Sequence, residues 1–115
     1  MKAYTDIEQS KMLAEILPIE SADMAYWKKS YRPNDYAIMA RHTKELQEGF
    51  EAKGMEYIPC WGLAALLNVL PSATLDTSDD HHYRLHCMER FSEWYDNAID
   101  ACVVMIEKLH EQKLI

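Results

Sequence analysis

The segment at residues 59–70 is the strongest constraint on how this chain can fold. It begins with Pro59, stops at Pro71 and is almost entirely apolar. Proline fits the first turn of a helix, where no N–H is required, and a later proline ends the helix. A helix that is apolar on all sides must be buried on most of them. The segment therefore predicts a central core helix.

A last helix is predicted to begin after Asn97. Asn97 suits the N-cap, and Asp100 suits the positive end of the helix dipole. On one side, apolar residues recur at helical spacing: Ile99, Cys102, Val103, Ile106 and Leu109. The pattern predicts an amphipathic helix that buries this side.

Two further helices are predicted in the first half of the chain. The sequence from Thr5 to Glu8 reads as a capping box for a helix that ends at Pro18. Residues 43–53 favour a short exposed helix, although Gly49 in its middle leaves a loop as the competing interpretation.

The remaining segments favour strands. Residues 22–29 and 36–40 alternate loosely around the turn-forming residues 32–35 and predict a hairpin. In this hairpin we expect Met24 and Tyr26 to lie opposite Tyr36 and Ile38.

Two more strands are predicted at residues 72–75 and 82–88, and residues 91–95 extend the second strand or form another. Together these elements predict a single domain over residues 1–115. Its class is α+β: a small, mainly antiparallel sheet packed on one face by about three helices, the first, the central and the last.

The charge balance excludes some classes of partner. The chain has 12 Lys and Arg residues against 19 Asp and Glu residues, for a net charge of −7. Such a chain repels phosphate backbones and anionic membranes, so neither nucleic acid nor a membrane is expected as a partner. A short basic run, Lys28, Lys29 and Arg32, is interpreted as a solvated turn.

Cysteine usage and the N-terminal residues favour a cytoplasmic location. Three cysteines, Cys60, Cys87 and Cys102, are an odd number without C-x-x-C spacing, which suits buried thiols in a reducing compartment. Residues 1–6 lack the apolar core of a signal peptide, and residues 58–70 are too short to span a bilayer.

A polar cluster at residues 79–87 gives the enzymatic alternative. On a strand, His82, Arg84 and His86 share one face. The two imidazoles could bind a metal ion, with an Asp80 carboxylate oxygen as the third ligand. Arg84 between the two imidazoles would repel a cation, so we expect no metal and no cofactor. The alternative is a small metal-dependent or thiol enzyme around His82, His86 and Cys87.

Aromatic residues beside charged ones give the favoured interaction site. Tyr26, Trp27, Tyr31 and Arg32 lie close together next to the predicted turn. Adjacent strand residues point to opposite faces, and exposed Tyr, Trp and Arg are favoured at interfaces. The competing interpretation is that residues 43–53 cover this face of the sheet from within the chain.

Three stretches together resemble a family of small hypothetical proteins from mobile and phage-like elements of gut anaerobic bacteria. They are residues 5–17, residues 58–71 with the sequence IPCWGLAALLNVLP, and residues 95–114, which open with YDNAIDAC. The family has no established activity, so the resemblance implies no catalytic or ligand residues.

The predicted function is therefore non-enzymatic. We expect a protein-interaction or accessory regulatory module in a mobile-element context, acting on a protein partner or by self-association. A further alternative is an acidic mimic of nucleic acid, which would need carboxylates clustered on one face, whereas here they are scattered along the chain.

Overall fold

The computed structural model describes residues 2–28 and 33–115. The described residues form four α-helices and six strands, which confirms the α+β class. The helices are α1 (Ile7–Ile16), α2 (Lys44–Ala52), α3 (Leu63–Val69) and α4 (Ala98–Glu111). The strands are β1 (Met24–Lys28), β2 (Tyr36–Met39), β3 (Tyr57–Cys60), β4 (Thr74–Thr77), β5 (Tyr83–Cys87) and β6 (Arg90–Phe91).

The strands divide between two three-stranded antiparallel sheets. The first has the order β2-β1-β3 and the second the order β4-β5-β6. Helix α1 packs against β3, helix α4 packs against β5, and α4 also contacts α1 and α3. Helices α1 and α4 therefore connect the two sheets through their mutual contact, and the strands form two sheets and not the single sheet that the sequence predicted.

The most apolar segment contains a strand as well as a helix. Pro59 is not the first helical residue, because it lies in β3 opposite Ala25. Proline is tolerated in an edge strand where its missing N–H faces away from the neighbouring strand. The helix begins only at Leu63, with Gly62 as its N-cap and the Gly62 N–H donating to Asp23 Oδ1 at 2.8 Å.

The capping box of α1 lies one residue later than predicted. Asp6 is the N-cap, and it exchanges hydrogen bonds with Gln9. Thr5 is fully buried instead, and its hydroxyl accepts from the Trp61 N–H at 3.1 Å and contacts Ser10 Oγ at 2.7 Å. Thr5 therefore joins α1 to the β3–α3 connection.

The two other predicted helices are confirmed. Thr43 caps α2 through the Leu46 N–H, so this segment is a helix and the loop interpretation is wrong. Asn97 caps α4 through the Asp100 N–H at 2.8 Å. The five apolar α4 residues named from the sequence are all buried, and they form the core together with residues such as Trp61 and Leu66.

The predicted hairpin is present, with a definite register. Tyr26 lies opposite Ile38, and Lys28 lies opposite Tyr36. Met24 lies beyond the end of β2 and pairs with Cys60 of β3 instead. In the second sheet, β4 begins two residues later than predicted, because Ser72 adopts a left-handed conformation with φ 50° in the turn after α3.

None of the helices in residues 2–28 and 33–115 combines the length and the apolar character that crossing a membrane requires.

Candidate interaction surface

The aromatic residues of β1 are engaged within the chain. The Trp27 ring lies 5.6 Å from the Phe50 ring of α2, and Phe50 lies 5.6 Å from Tyr57. On the opposite face, the Tyr26 hydroxyl donates to the Thr5 carbonyl at 2.8 Å. Helix α2 thus covers the Trp27 face, as the competing interpretation expected.

Tyr31 and Arg32, the other two residues of the predicted interaction site, lie outside the described residues, as does Lys29 of the basic run. Lys28 is half-buried in β1, where its N–H donates to the Glu56 carbonyl at 3.0 Å. The described part of the basic run therefore belongs to a paired strand.

The histidines of the polar cluster are separated by their contacts. His82 Nε2 lies 3.3 Å from Asp96 Oδ1, whereas the His86 ring stacks on Phe91 with centroids 4.2 Å apart. Asp80 is exposed in the turn between β4 and β5. Within the part of the chain that the structure describes, no three His, Cys, Asp or Glu side chains come together closely enough to hold a metal ion.

All three cysteines are buried, and burial raises the pKa of each thiol, that of Cys102 to about 12. Cys60 lies in β3 and not at a helix start, and its thiol donates to the Thr5 carbonyl at 3.4 Å. The Cys87 thiol donates to the Pro71 carbonyl at 3.0 Å. A nucleophilic cysteine needs an accessible thiolate, which these environments disfavour.

The outer face of the second sheet carries a row of flat side chains in mutual contact. We call His86, Phe91, Arg84 and Trp94, in this order of contact, the Arg84 row. Phe91 stacks on His86, and the Arg84 guanidinium lies 4.4 Å from the centre of the Phe91 ring and 4.7 Å from that of Trp94. Phe91 is 47% exposed and Trp94 is 43% exposed. The row is thus organised and yet open to solvent.

Ion pairing and burial hold Arg84 in place. Its Nη2 donates to Asp76 Oδ2 of β4 at 3.1 Å. Its Nε is buried without a hydrogen-bond partner among the described residues. The Arg84 guanidinium is therefore held between the Asp76 carboxylate and the rings of Phe91 and Trp94.

A bulge places Trp94 on Arg84. Ser92 pairs with Leu85 through a 2.8 Å backbone bond, and Tyr95 pairs with Tyr83 through bonds of 2.7 and 2.8 Å. Between these two pairs, the segment after β6 has two residues, Glu93 and Trp94, whereas β5 has only Arg84. Bulges re-aim side chains and occur often beside functional sites. This one directs an exposed tryptophan onto the row.

The tip of the same hairpin is a second irregular feature. Met88 and Glu89 have φ values of 52° and 64°, the left-handed conformation that a two-residue hairpin loop requires and that favours Asn and Gly. Met88 is 40% exposed. The chain therefore keeps a large apolar residue at a strained, exposed position next to the Arg84 row.

A separate cleft of about 410 Å³ lies between residues 19–20 and one side of α2, which lines it from Lys44 to Glu51. Its only histidine, His42, contacts the Tyr57 hydroxyl at 2.7 Å through Nδ1. Burial lowers the pKa of His42.

The sequence contained two signals for the Arg84 row. The period of a strand places Arg84 and His86 on one face, and Phe91 and Trp94 follow within ten residues. What the sequence did not show was which aromatics are covered, since that depends on where α2 packs.

No protein-family model, curated protein or solved structure matches this chain.

Proposed function

We propose that this protein is a non-enzymatic interaction module that binds another protein chain through the Arg84 row. The observation that carries the proposal is the exposure of Phe91 and Trp94 around a guanidinium that is already fixed by Asp76. An accessory or regulatory role in a mobile element, which the family resemblance implies, is part of the same proposal.

The residue types of the row support a protein partner. Trp and Arg are among the residues that most often dominate binding energy at protein interfaces, and Phe is enriched there. A preorganised row loses little side-chain entropy when it is buried. The net charge of −7 disfavours a nucleic-acid partner.

The irregular backbone around the row supports a functional reason for it. Positive φ values at Met88 and Glu89 carry an energetic cost that Asn and Gly would reduce. Exposed apolar side chains add nothing to the core. A binding role explains why the chain keeps both features in one hairpin.

Site-specific photocrosslinking tests the proposal. A photoreactive phenylalanine analogue replaces Trp94 in one variant and Glu51, on the exposed side of α2, in the matched control. Irradiation in extracts of the host organism is expected to give a discrete crosslinked protein with the Trp94 variant alone. Equal patterns from both positions would contradict the proposal.

A further inference from the structure

Strand β2 is an edge of the first sheet in the part of the chain that the structure describes. It pairs with β1 on one side and is the last strand in the order β2-β1-β3. Its sequence, Tyr36-Ala37-Ile38-Met39, contains no charge and no proline, which are the usual means of blocking an edge. Ile38 is also 38% exposed.

The hydrogen-bond pattern shows which residues of β2 face outward. Lys28 donates to Glu56 directly across from it, so the even-numbered residues of β1 direct their backbone groups toward β3. Odd-numbered Ala25 and Trp27 then direct theirs toward β2.

These two residues lie opposite Met39 and Ala37. The backbone groups of Ala37 and Met39 therefore face β1, and those of Tyr36 and Ile38 face the open edge. An added antiparallel strand would bond to Tyr36 and Ile38.

We infer that the occupant of this edge is β2 of a second copy of the chain, paired antiparallel with Ile38 opposite the partner subunit's Ile38. This register joins the outward groups of Ile38 to each other, and extending the strand by one residue past Met39 joins those of Tyr36 to the partner subunit's Ala40. The contact is isologous and closes as a two-fold dimer with one continuous six-stranded sheet.

Charge complementarity selects this register over its neighbour. With Ile38 opposite itself, Asp35 lies opposite the partner subunit's Arg41, and the reverse pair forms by symmetry. Shifting the register to place Tyr36 opposite the partner subunit's Ile38 would set Asp35 against an apolar Met39 instead. A carboxylate accepts several hydrogen bonds, so contacts of Asp35 within its own chain are compatible with this pairing.

The dimer is independent of the proposed function, because β2 lies in the first sheet and the Arg84 row in the second. If both hold, the dimer presents two copies of the row. A Trp94→Ser variant is expected to lose partner binding and to remain a dimer.

Sedimentation equilibrium with two opposite charges at position 38 tests the inference. Ile38→Lys and Ile38→Asp each place like charges opposite each other, so each variant alone is expected to dimerise roughly tenfold more weakly or worse than the unmodified protein. An equimolar mixture places Lys opposite Asp and is expected to recover dimers. Only a residue that lies close to its own copy across the two-fold axis gives this pattern.

Matched variants control for folding and for surface. Phe91→Lys and Phe91→Asp change an exposed residue of the other sheet and are expected to leave the dimer intact. Arg41→Glu, outside β2, sets two acidic residues opposite each other and is expected to weaken the dimer without altering the strand. Circular dichroism melts verify that each variant is folded.

Four results would overturn the inference. The unmodified protein could remain a monomer up to its solubility limit. The position 38 variants could dimerise alone as tightly as the unmodified protein, or their mixture could fail to recover dimers. Loss of the dimer in the Phe91 variants would place the interface on the second sheet.

Discussion

The loop between β5 and β6 is predicted to be a removable source of instability. Met88 and Glu89 both adopt positive φ values, 52° and 64°. A left-handed conformation costs an ordinary residue about 1–2 kcal/mol. Glycine avoids that cost but loses about 0.5–1 kcal/mol of backbone entropy on folding. Glu89→Gly is therefore expected to stabilise the protein by roughly 0.5–1 kcal/mol.

A second substitution adds to the first. Asn tolerates the left-handed conformation better than Met, so Met88→Asn with Glu89→Gly creates the preferred sequence for this loop. We expect a total gain of about 1 kcal/mol for the pair, which corresponds to a rise in Tm of roughly 3–6 °C for a domain of this size.

Urea and thermal denaturation measure the gain. The matched control is Glu93→Gly, an exposed position whose φ is not positive, where glycine is expected to destabilise the protein by about 0.5–1 kcal/mol. Equal destabilisation by Glu89→Gly and Glu93→Gly would refute the reasoning, because it would mean that the loop carries no strain.

Other outcomes are expected for the core, for pH and for metals. Ile106→Ala is expected to lower the free energy of unfolding by about 2–5 kcal/mol in urea denaturation, because Ile106 is fully buried in α4. Val104→Ala removes a half-buried side chain of the same helix and should cost less. Equal costs would contradict the packing of α4. Burial lowers the pKa of His42 below its usual value of 6.5, so its contribution to stability is complete above pH 6.5 and is lost as the pH falls from there through the lowered pKa. His42→Gln should accordingly show a smaller loss of stability between about pH 7.5 and pH 5.5 than the unmodified protein, and identical losses would contradict this role. Dialysis against a chelator should leave the Tm unchanged, and a large loss that zinc reverses would support the enzymatic alternative around His82 and His86.

Local patterns predicted the elements whose ends are fixed locally. Asn97 and Thr43 cap α4 and α2 as their sequences indicated, because a cap is a contact between residues three positions apart. The Thr5 to Glu8 box failed for a long-range reason: Thr5 is used by Trp61, far along the chain, and Asp6 takes the cap.

Pro59 shows why the core segment was only partly predicted. A proline at the first helical position and a proline in an edge strand satisfy the same local condition, since neither position needs an N–H. The choice was made by β1, which pairs with this segment from over thirty residues away. Strand partners of this kind are not encoded locally, which is also why two sheets could not be distinguished from one.

The location of the interaction surface also depended on long-range packing, because packing decides which aromatic side chains are covered. Trp27 and Trp94 are both tryptophans beside charged residues in the sequence. Phe50 of α2 packs on Trp27, whereas Trp94 is 43% exposed beside Arg84. The bulge that aims Trp94 depends on a register between two segments, so strand periodicity alone does not reveal it.

The most direct measurement for the central claim is calorimetric titration of the protein with the partner that crosslinks at position 94. Trp94→Ser is expected to weaken the affinity about 30-fold, as for an interface residue worth about 2 kcal/mol. The matched control Ala64→Ser, on the exposed side of α3, is expected to bind like the unmodified protein. If Trp94→Ser binds the partner as tightly as the control does, the Arg84 row is not the binding surface.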